Sequence, residues 1–157
     1  MEDIDLEKIK QDSKVYYKAL NTIVCPALNE KVVFDYTGLK HIVFKSSRHL
    51  RDKNSQYMRF KLLPLAVKLI GVTTTYQEYE RTVRKITVKH NGVDMARNKE
   101  FKYWGLIAII DDRKIKVILR KIGNGHLHFW SIIPSWTTNK TRDGKLFSTM
   151  KGNPHID

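Results

Sequence analysis

From residue 86 onward the hydrophobic period of the chain becomes two, and this feature limits the possible folds most. "KITVKH", "FKYWGLIAII", "KIKVILRKI" and "HLHFWSIIP" follow one another, each rich in Ile, Val, Phe, Tyr or Trp. Such side chains fit a pleated, half-buried surface, and strict alternation marks a strand with one face on a core. "DDR" separates the second and third segments and "GNG" the third and fourth, both short enough for hairpins. Consecutive strands joined this way run antiparallel, so a meander of four or more strands is predicted.

The first half reads as helices with a short strand among them. From about Asp5 to Asn21, apolar residues at Leu6, Ile9, Val15, Tyr16 and Leu20 predict an N-terminal helix within residues 1–21. "NTIVCPALNE" breaks it, "KVVFDY" reads as a strand, and "TGLKHIVFKSSRHLRD" has helical spacing with Thr37 as a possible cap. On that helix His41, Lys45 and Arg48 fall opposite Leu39, Ile42, Val43 and Leu50, so His41 is expected to face away from the local core. "QYMRFKLLPLAVKLIG" reads as a helix interrupted near Pro64 and stopped by Gly71, because proline removes a backbone donor. "VTTTYQEYERTV" is a connector of undecided structure, and residues 137–157 a polar, turn-rich, loosely held tail. The expectation is one α+β domain over 1–157, with N-terminal helices packed on an antiparallel sheet.

Charge narrows the function. Lys and Arg number 29 against 16 acids, a net +13; without the first twelve residues, which hold five acids and two bases, 27 bases face 11 acids. A surface this basic is the footprint of a protein that meets a polyanion, most often nucleic acid, though an acidic protein or a membrane surface would suit the charge equally. The longest apolar run, "YWGLIAII", is too short to span a bilayer, and no signal-peptide pattern opens the chain. A cytoplasmic site of action without a membrane role is therefore expected. The lone Cys25 offers neither a disulfide nor a cysteine metal cluster, and no nucleotide-binding glycine loop or Gly-x-Ser-x-Gly occurs. No metal or cofactor is expected.

Alternation along the last strand puts His126, His128, Trp130 and Ile132 on one face, and Leu127, Phe129, Ser131 and Ile133 on the other. On the strand before it Lys116, Ile118 and Arg120 share a face, so Arg120 or Lys116 can lie beside those histidines. Like charges so placed make best sense around an anion such as phosphate. Strand histidines are also commonly half-buried and bonded to a neighbour, and strand Lys and Arg commonly solvate an outer face; both readings stand. His126-x-His128 lacks an identifiable third ligand for a metal. Lys45, Arg48, Arg51, Lys53, Arg59 and Lys61 form a basic stretch read as a surface that tracks phosphates.

In its order of elements, a helix, a short strand leading into "GLKHIVFK", a basic helical middle, then a meander closing on "KIKVILRKIGNGHLHFWSIIP", the chain resembles the barnase-EndoU-colicin-RelE group of nucleases over about residues 30–136. More narrowly it resembles their phage- and mobile-element-associated branch. The resemblance implies a metal-independent, toxin-like endoribonuclease with RNA as partner and an acidic immunity or antitoxin protein beside it. Position by position, it points to His41 on the helix after the first strand, Arg48 and Arg51 on the basic helix, Lys116 and Arg120 on the penultimate strand, and His128 and Ser131 on the last.

Cleavage of RNA without a metal needs a base for the 2′-hydroxyl, an acid for the leaving oxygen and cations around the phosphate. His41 and His128 are expected as the acid-base pair, Arg120, Lys116 and Arg48 as phosphate stabilisers, and Ser131 as a positioning hydroxyl. Lys45, Arg48, Arg51 and Arg59 would hold the nucleic acid, with Tyr103 or Trp130 stacking on a base unless packed in the core. Two alternatives use the same basic surface: a noncatalytic nucleic-acid-binding module, and a basic effector that binds an acidic protein. By alternation His128 and Ser131 cannot line one site unless a bulge re-aims one of them.

Overall fold

A computed structural model of the chain describes residues 3–134 and 154–157. In chain order its elements are α1 (Asp3–Ala19), β1 (Thr22–Cys25), β2 (Glu30–Val33), α2 (Tyr36–Val43), β3 (Phe44–Ser46), β4 (His49–Leu50), α3 (Lys53–Val72), β5 (Glu78–His90), β6 (Val93–Ile110), β7 (Arg113–Ile122) and β8 (His128–Ile133). The fold is α+β. One six-stranded sheet has the order β1-β2-β8-β7-β6-β5, with β3 and β4 pairing separately.

Strands β5 to β8 are the meander expected from the period of two. The β5–β6 turn rests on Asn91 and Gly92, at φ 51 and 77, and the β6–β7 turn on Asp111 and Asp112, at φ 49 and 61. Two successive left-handed residues match the twist of a two-residue hairpin, and Asn, Asp and Gly tolerate that conformation best. The "break" after α1 is itself β-structure: β1 and β2 form a hairpin, and β2 joins the sheet parallel to β8 through Val33 opposite His128. The connector before residue 86 also yields to pairing, since β5 starts at Glu78 opposite Gly105.

The sheet buries one face against the helices. Leu106, Ile115, Val117, Leu119, Phe129 and Ile132 meet Leu39 and Ile42 of α2 and Leu63, Ala66 and Ile70 of α3. The other face carries a smaller cluster of Phe101, Tyr103, Ile118 and Trp130. Pro64 neither stops nor interrupts α3. It lies on the solvent side, where the lost donor costs least, while Phe60, Leu63, Ala66 and Ile70 hold the other side in the core. Gly71 is likewise inside the helix, which ends at Val72 and is capped by Thr73.

The helix expected over 37–52 ends instead at Val43. Phe44 takes an extended backbone, the chain turns back, and the Arg51 amide donates to the Val43 carbonyl. Ser46 and Ser47 sit where a helix would need to continue, and serine competes for backbone partners there; the Ser46 hydroxyl bonds His49 Nδ1 at 2.7 Å. The cap of α2 is Asp35, whose carboxylate accepts from the Thr37 and Gly38 amides, rather than Thr37. Helix α2 lies hard against β8. A Cβ at Gly38 would overlap the Phe129 carbonyl oxygen and stand 2.7 Å from the Tyr17 hydroxyl, so only glycine permits this approach. Among the described residues no helix is long and apolar enough to cross a membrane.

Candidate active site

The approach of α2 to β8 determines what surrounds Trp130. A β-bulge interrupts the β7–β8 ladder: Leu119 pairs with Phe129, and Ile118 with Ser131, so Trp130 is the extra residue. The bulge shifts the alternation by one. Phe129 and Ile132 face the helices, while Trp130 joins Ile118 in the smaller cluster and Ser131 pairs opposite Ile118. His128, opposite Arg120, and Ser131 therefore belong to one face, which uninterrupted alternation would forbid.

Around this bulge six polar residues from five segments of the chain converge, all buried: His41, Arg51, Arg59, Arg120, His128 and Ser131. Arg51 donates from Nε to the His41 carbonyl at 3.0 Å and places Nη2 3.1 Å from His41 Nε2. A guanidinium can only donate, so His41 Nε2 accepts, and the ring is neutral with its proton on Nδ1. Arg59 Nη1 donates to the Ser131 hydroxyl at 2.9 Å. Arg120 Nε donates to His128 Nε2 at 2.9 Å, and His128 Nδ1 lies 3.2 Å from the His126 carbonyl. By the same argument His128 is neutral and donates from Nδ1.

Trp130 joins the two halves. The His41 ring stacks on it at 3.9 Å and 16°, and the Arg120 guanidinium carbon sits 3.4 Å from its centre. Both lie too close to the ring centre to share a face, so the indole is sandwiched between them. A cleft of about 320 Å³ opens beside this stack, with Lys40, Lys45, His41, Trp130 and His155 in its lining.

Residues 154–157 close over the cluster. The main-chain oxygen of Asp157 accepts from Arg59 Nη1 at 2.7 Å, from the Ser131 hydroxyl at 2.8 Å and from Arg51 Nη2 at 3.1 Å. The Ile156 carbonyl takes a further bond from Arg51, and the Pro154 carbonyl one from Trp130 Nε1 at 2.7 Å. The buried Nε of Arg59 has no acceptor among the described residues.

Electrostatics follow from this crowding. Burial, then Arg51, Arg59 and Arg120, push His41 down to about 2. Burial and Arg120 lower His128, against the His126 carbonyl and Asp35. Burial also lowers Arg51 and Arg59, with Asp157 and Asp52 working the other way. The site is a buried cationic cluster whose imidazoles are kept neutral first by burial and then by the neighbouring arginines.

The residues singled out in the sequence are thus partly assembled and partly dispersed. His41, Arg51, Arg59, Arg120, His128, Trp130 and Ser131 meet; His41 is turned into the cluster, not away from the core. Lys45 is exposed on the cleft, and Arg48 is exposed in the β3–β4 turn, outside the cluster. Arg51 and Arg59 are interior residues, not part of an exposed phosphate-tracking face. Lys116 is 0 % exposed and paired with Glu78 at 2.6 Å, so it is not presented to a ligand in the cluster. Tyr103, fully buried, and Trp130, covered on both faces, offer no open ring to a base. His126 is exposed while His128 is buried, so the two imidazoles do not act as a pair. Of the tail expected to be loose, residues 154–157 are bonded to the cluster, while 137–153 lie outside the described residues. His155 and Asp157 carried no signal, being isolated polar residues in an aperiodic segment. Comparison with known protein families, with curated proteins and with solved structures gives no match for this chain.

Proposed function

We propose that the chain is a metal-independent endoribonuclease whose scissile phosphate binds at Arg51 and Arg59, with Arg120 across the Trp130 indole. The observation that carries the reading is the convergence of two histidines, three arginines and a serine from α2, α3, β7, β8 and the segment before α3 on one buried cluster. Among the described residues no carboxylate side chain bonds Arg51, Arg59 or Arg120, and buried cations so placed call for an anion. Oxygens of residues 156 and 157 already fill that need in part, and Arg59 Nε retains a donor for another. A phosphate would take the place of these main-chain oxygens, with Ser131 as a positioning hydroxyl.

His41 and His128 are neutral, the form a general base requires. Burial holds both down first and the arginines second; a bound phosphate offsets the arginine share, so their proton affinity rises as substrate enters. One imidazole can then take the 2′-hydroxyl proton while the other, protonated, serves the leaving oxygen. The same chemistry is implied by the resemblance to the barnase-EndoU-colicin-RelE nucleases. RNA incubated with the protein in excess EDTA should be cleaved. His41→Ala and His128→Ala should each slow cleavage by about 10²–10⁴-fold. Intact RNA, or unchanged rates in both variants, rejects catalysis.

One observation favours a second reading. Both imidazoles already accept from arginines, as in a cluster that binds an anion without reacting. Salt-dependent RNA binding with no cleavage would select a noncatalytic nucleic-acid-binding module.

A further inference from the structure

Strand β6 pairs with β7 only from Phe101 to Ile110, while its pairing with β5 continues to the turn at His90 opposite Val93. Residues 83–99 therefore form a two-stranded ribbon beyond the rest of the sheet, and nearly all are exposed or half-buried. Its composition is one-sided. Cross-strand register places Arg84 with Lys99, Ile86 with Arg97, Val88 with Met95 and His90 with Val93 on one face. This face has three permanent cations and no acid, with Ile86 beside them and Val88, Met95 and Val93 beyond them toward the turn. The opposite face holds Lys85 and Lys89 but also Asp94, opposite Lys89, and Glu100, which bridges Arg81 and Lys102. The first face has three cations and no acid, whereas the opposite face has four cations and two acids, so positive charge is least compensated on the first.

That face leads to the cluster. The Arg84 guanidinium lies over the Phe101 ring at 5.5 Å, Arg120 over the same ring at 5.8 Å, and Arg120 over Trp130 at 3.4 Å, with His41 stacked beyond. Cations and rings alternate from the ribbon to the site without leaving one side of the sheet.

We propose that this face of the ribbon is a docking surface for single-stranded RNA, which it delivers to the cluster. Arg84, Arg97 and Lys99 contact successive phosphates, and the apolar residues beyond them toward the turn accept bases or sugars. Charge complementarity selects the occupant. A second copy pairing edge to edge would set Arg84, Lys85 and Lys89 against their like, and such rows of charge oppose self-association. The direction of delivery rests on the reading of the cluster as a phosphate site; binding to the ribbon does not.

Two charge-matched triple variants test this. In a His41→Ala background, so that cleavage does not intervene, labelled oligouridylate is titrated against the full chain at several salt concentrations. Arg84→Gln, Arg97→Gln and Lys99→Gln together should flatten the salt dependence of log K by about 2, at ~0.7 per phosphate contact, and weaken binding on the order of tenfold to a hundredfold at ~0.1 M salt. Arg81→Gln, Lys85→Gln and Lys89→Gln remove the same charge from the other face and should change affinity less than about threefold. Equal losses in both triples mean that net charge alone acts and overturn the proposal, as does unchanged affinity in the first. RNA bound in this pattern but never cleaved by the unaltered chain would remove the nuclease reading and leave the ribbon standing. Cleavage that is unaffected by the first triple would do the reverse.

Discussion

Lys116 and Glu78 face each other inside the sheet at 2.6 Å, with side chains 0 % and 1 % exposed. Their pairing separates a structural lysine from a phosphate-binding one. Removing one member of such a pair leaves the other's charge buried, at a typical cost of 3–5 kcal/mol, whereas replacing both with apolar groups of similar volume is often neutral or stabilising by ~1–4 kcal/mol. Lys116→Met should therefore destabilise the fold by about 3–5 kcal/mol. At ~2–4 °C per kcal/mol for a chain of this size, the midpoint falls by roughly 6–20 °C. Lys116→Met with Glu78→Leu should recover most of that loss. Urea unfolding of the unaltered chain, both single variants and the double variant gives the coupling energy directly. A loss below about 1 kcal/mol in Lys116→Met, or a double variant no better than the singles, would refute the reasoning. So would loss of RNA cleavage in a double variant that folds normally, because Lys116 would then act beyond the pair.

The histidines give the pH dependence its sign. His41, His128 and His155 are all lowered in the fold, so the unfolded chain binds their protons first. Their contribution is complete above about pH 6.5 and is lost as pH falls, with a slope approaching ~1.4 kcal/mol per pH unit for each proton by which the unfolded chain leads. Chemical denaturation from pH 7.5 down should show this, and His41→Phe, which keeps a ring on Trp130, should reduce the slope; an unchanged slope would contradict the burial assigned to His41. Gly38→Ala should cost about 1–3 kcal/mol through overpacking against Phe129 and Tyr17, visible as a lower urea midpoint; a neutral effect would mean that α2 does not press on β8 so closely. Removing residues 154–157 strips Arg51, Arg59 and Ser131 of their Asp157 acceptor, so stability should fall in phosphate-free buffer and rise on adding inorganic phosphate, by ~2.7 kcal/mol at a hundred times its Kd. Thermal unfolding with and without phosphate reads this, and equal phosphate responses in the full and shortened chains would show that the segment does not occupy the anion's place.

The sheet was legible because its signals are local. Alternation and two-residue turns lie within a few positions of one another, and burial on one face agrees with both. The misread segments are those where tertiary contact overrides local preference. Pro64 is tolerated because α3 presents it to solvent while Phe60, Leu63 and Ala66 anchor the helix on either side. The helical spacing of 37–52 is real as far as Val43, but it cannot report that Arg51 gains more by folding back onto the His41 carbonyl than by extending the helix. "TIVC" is too short to outweigh the proline and asparagine around it until β2 pairs with it.

The candidate site depends on one residue of register. Side chains on β8 alternate correctly up to Phe129, and the identities of His128, Trp130 and Ser131 are plain in the sequence; their common face is not. The bulge opposite Ile118 supplies it by adding Trp130 to one strand without a partner on the other. Nothing in "HFWSII" marks a bulge, because no glycine occurs there and Phe129, Trp130, Ile132 and Ile133 are good strand formers. Its cause is tertiary. Gly38 brings α2 onto the Phe129 carbonyl, His41 stacks on the indole, and Arg120 closes the other face of that ring. The extra residue is held where both of its neighbours can use it. The shift that places Trp130 between His41 and Arg120 also turns Ser131 toward Arg59, so one insertion of register aligns the two halves of the cationic cluster.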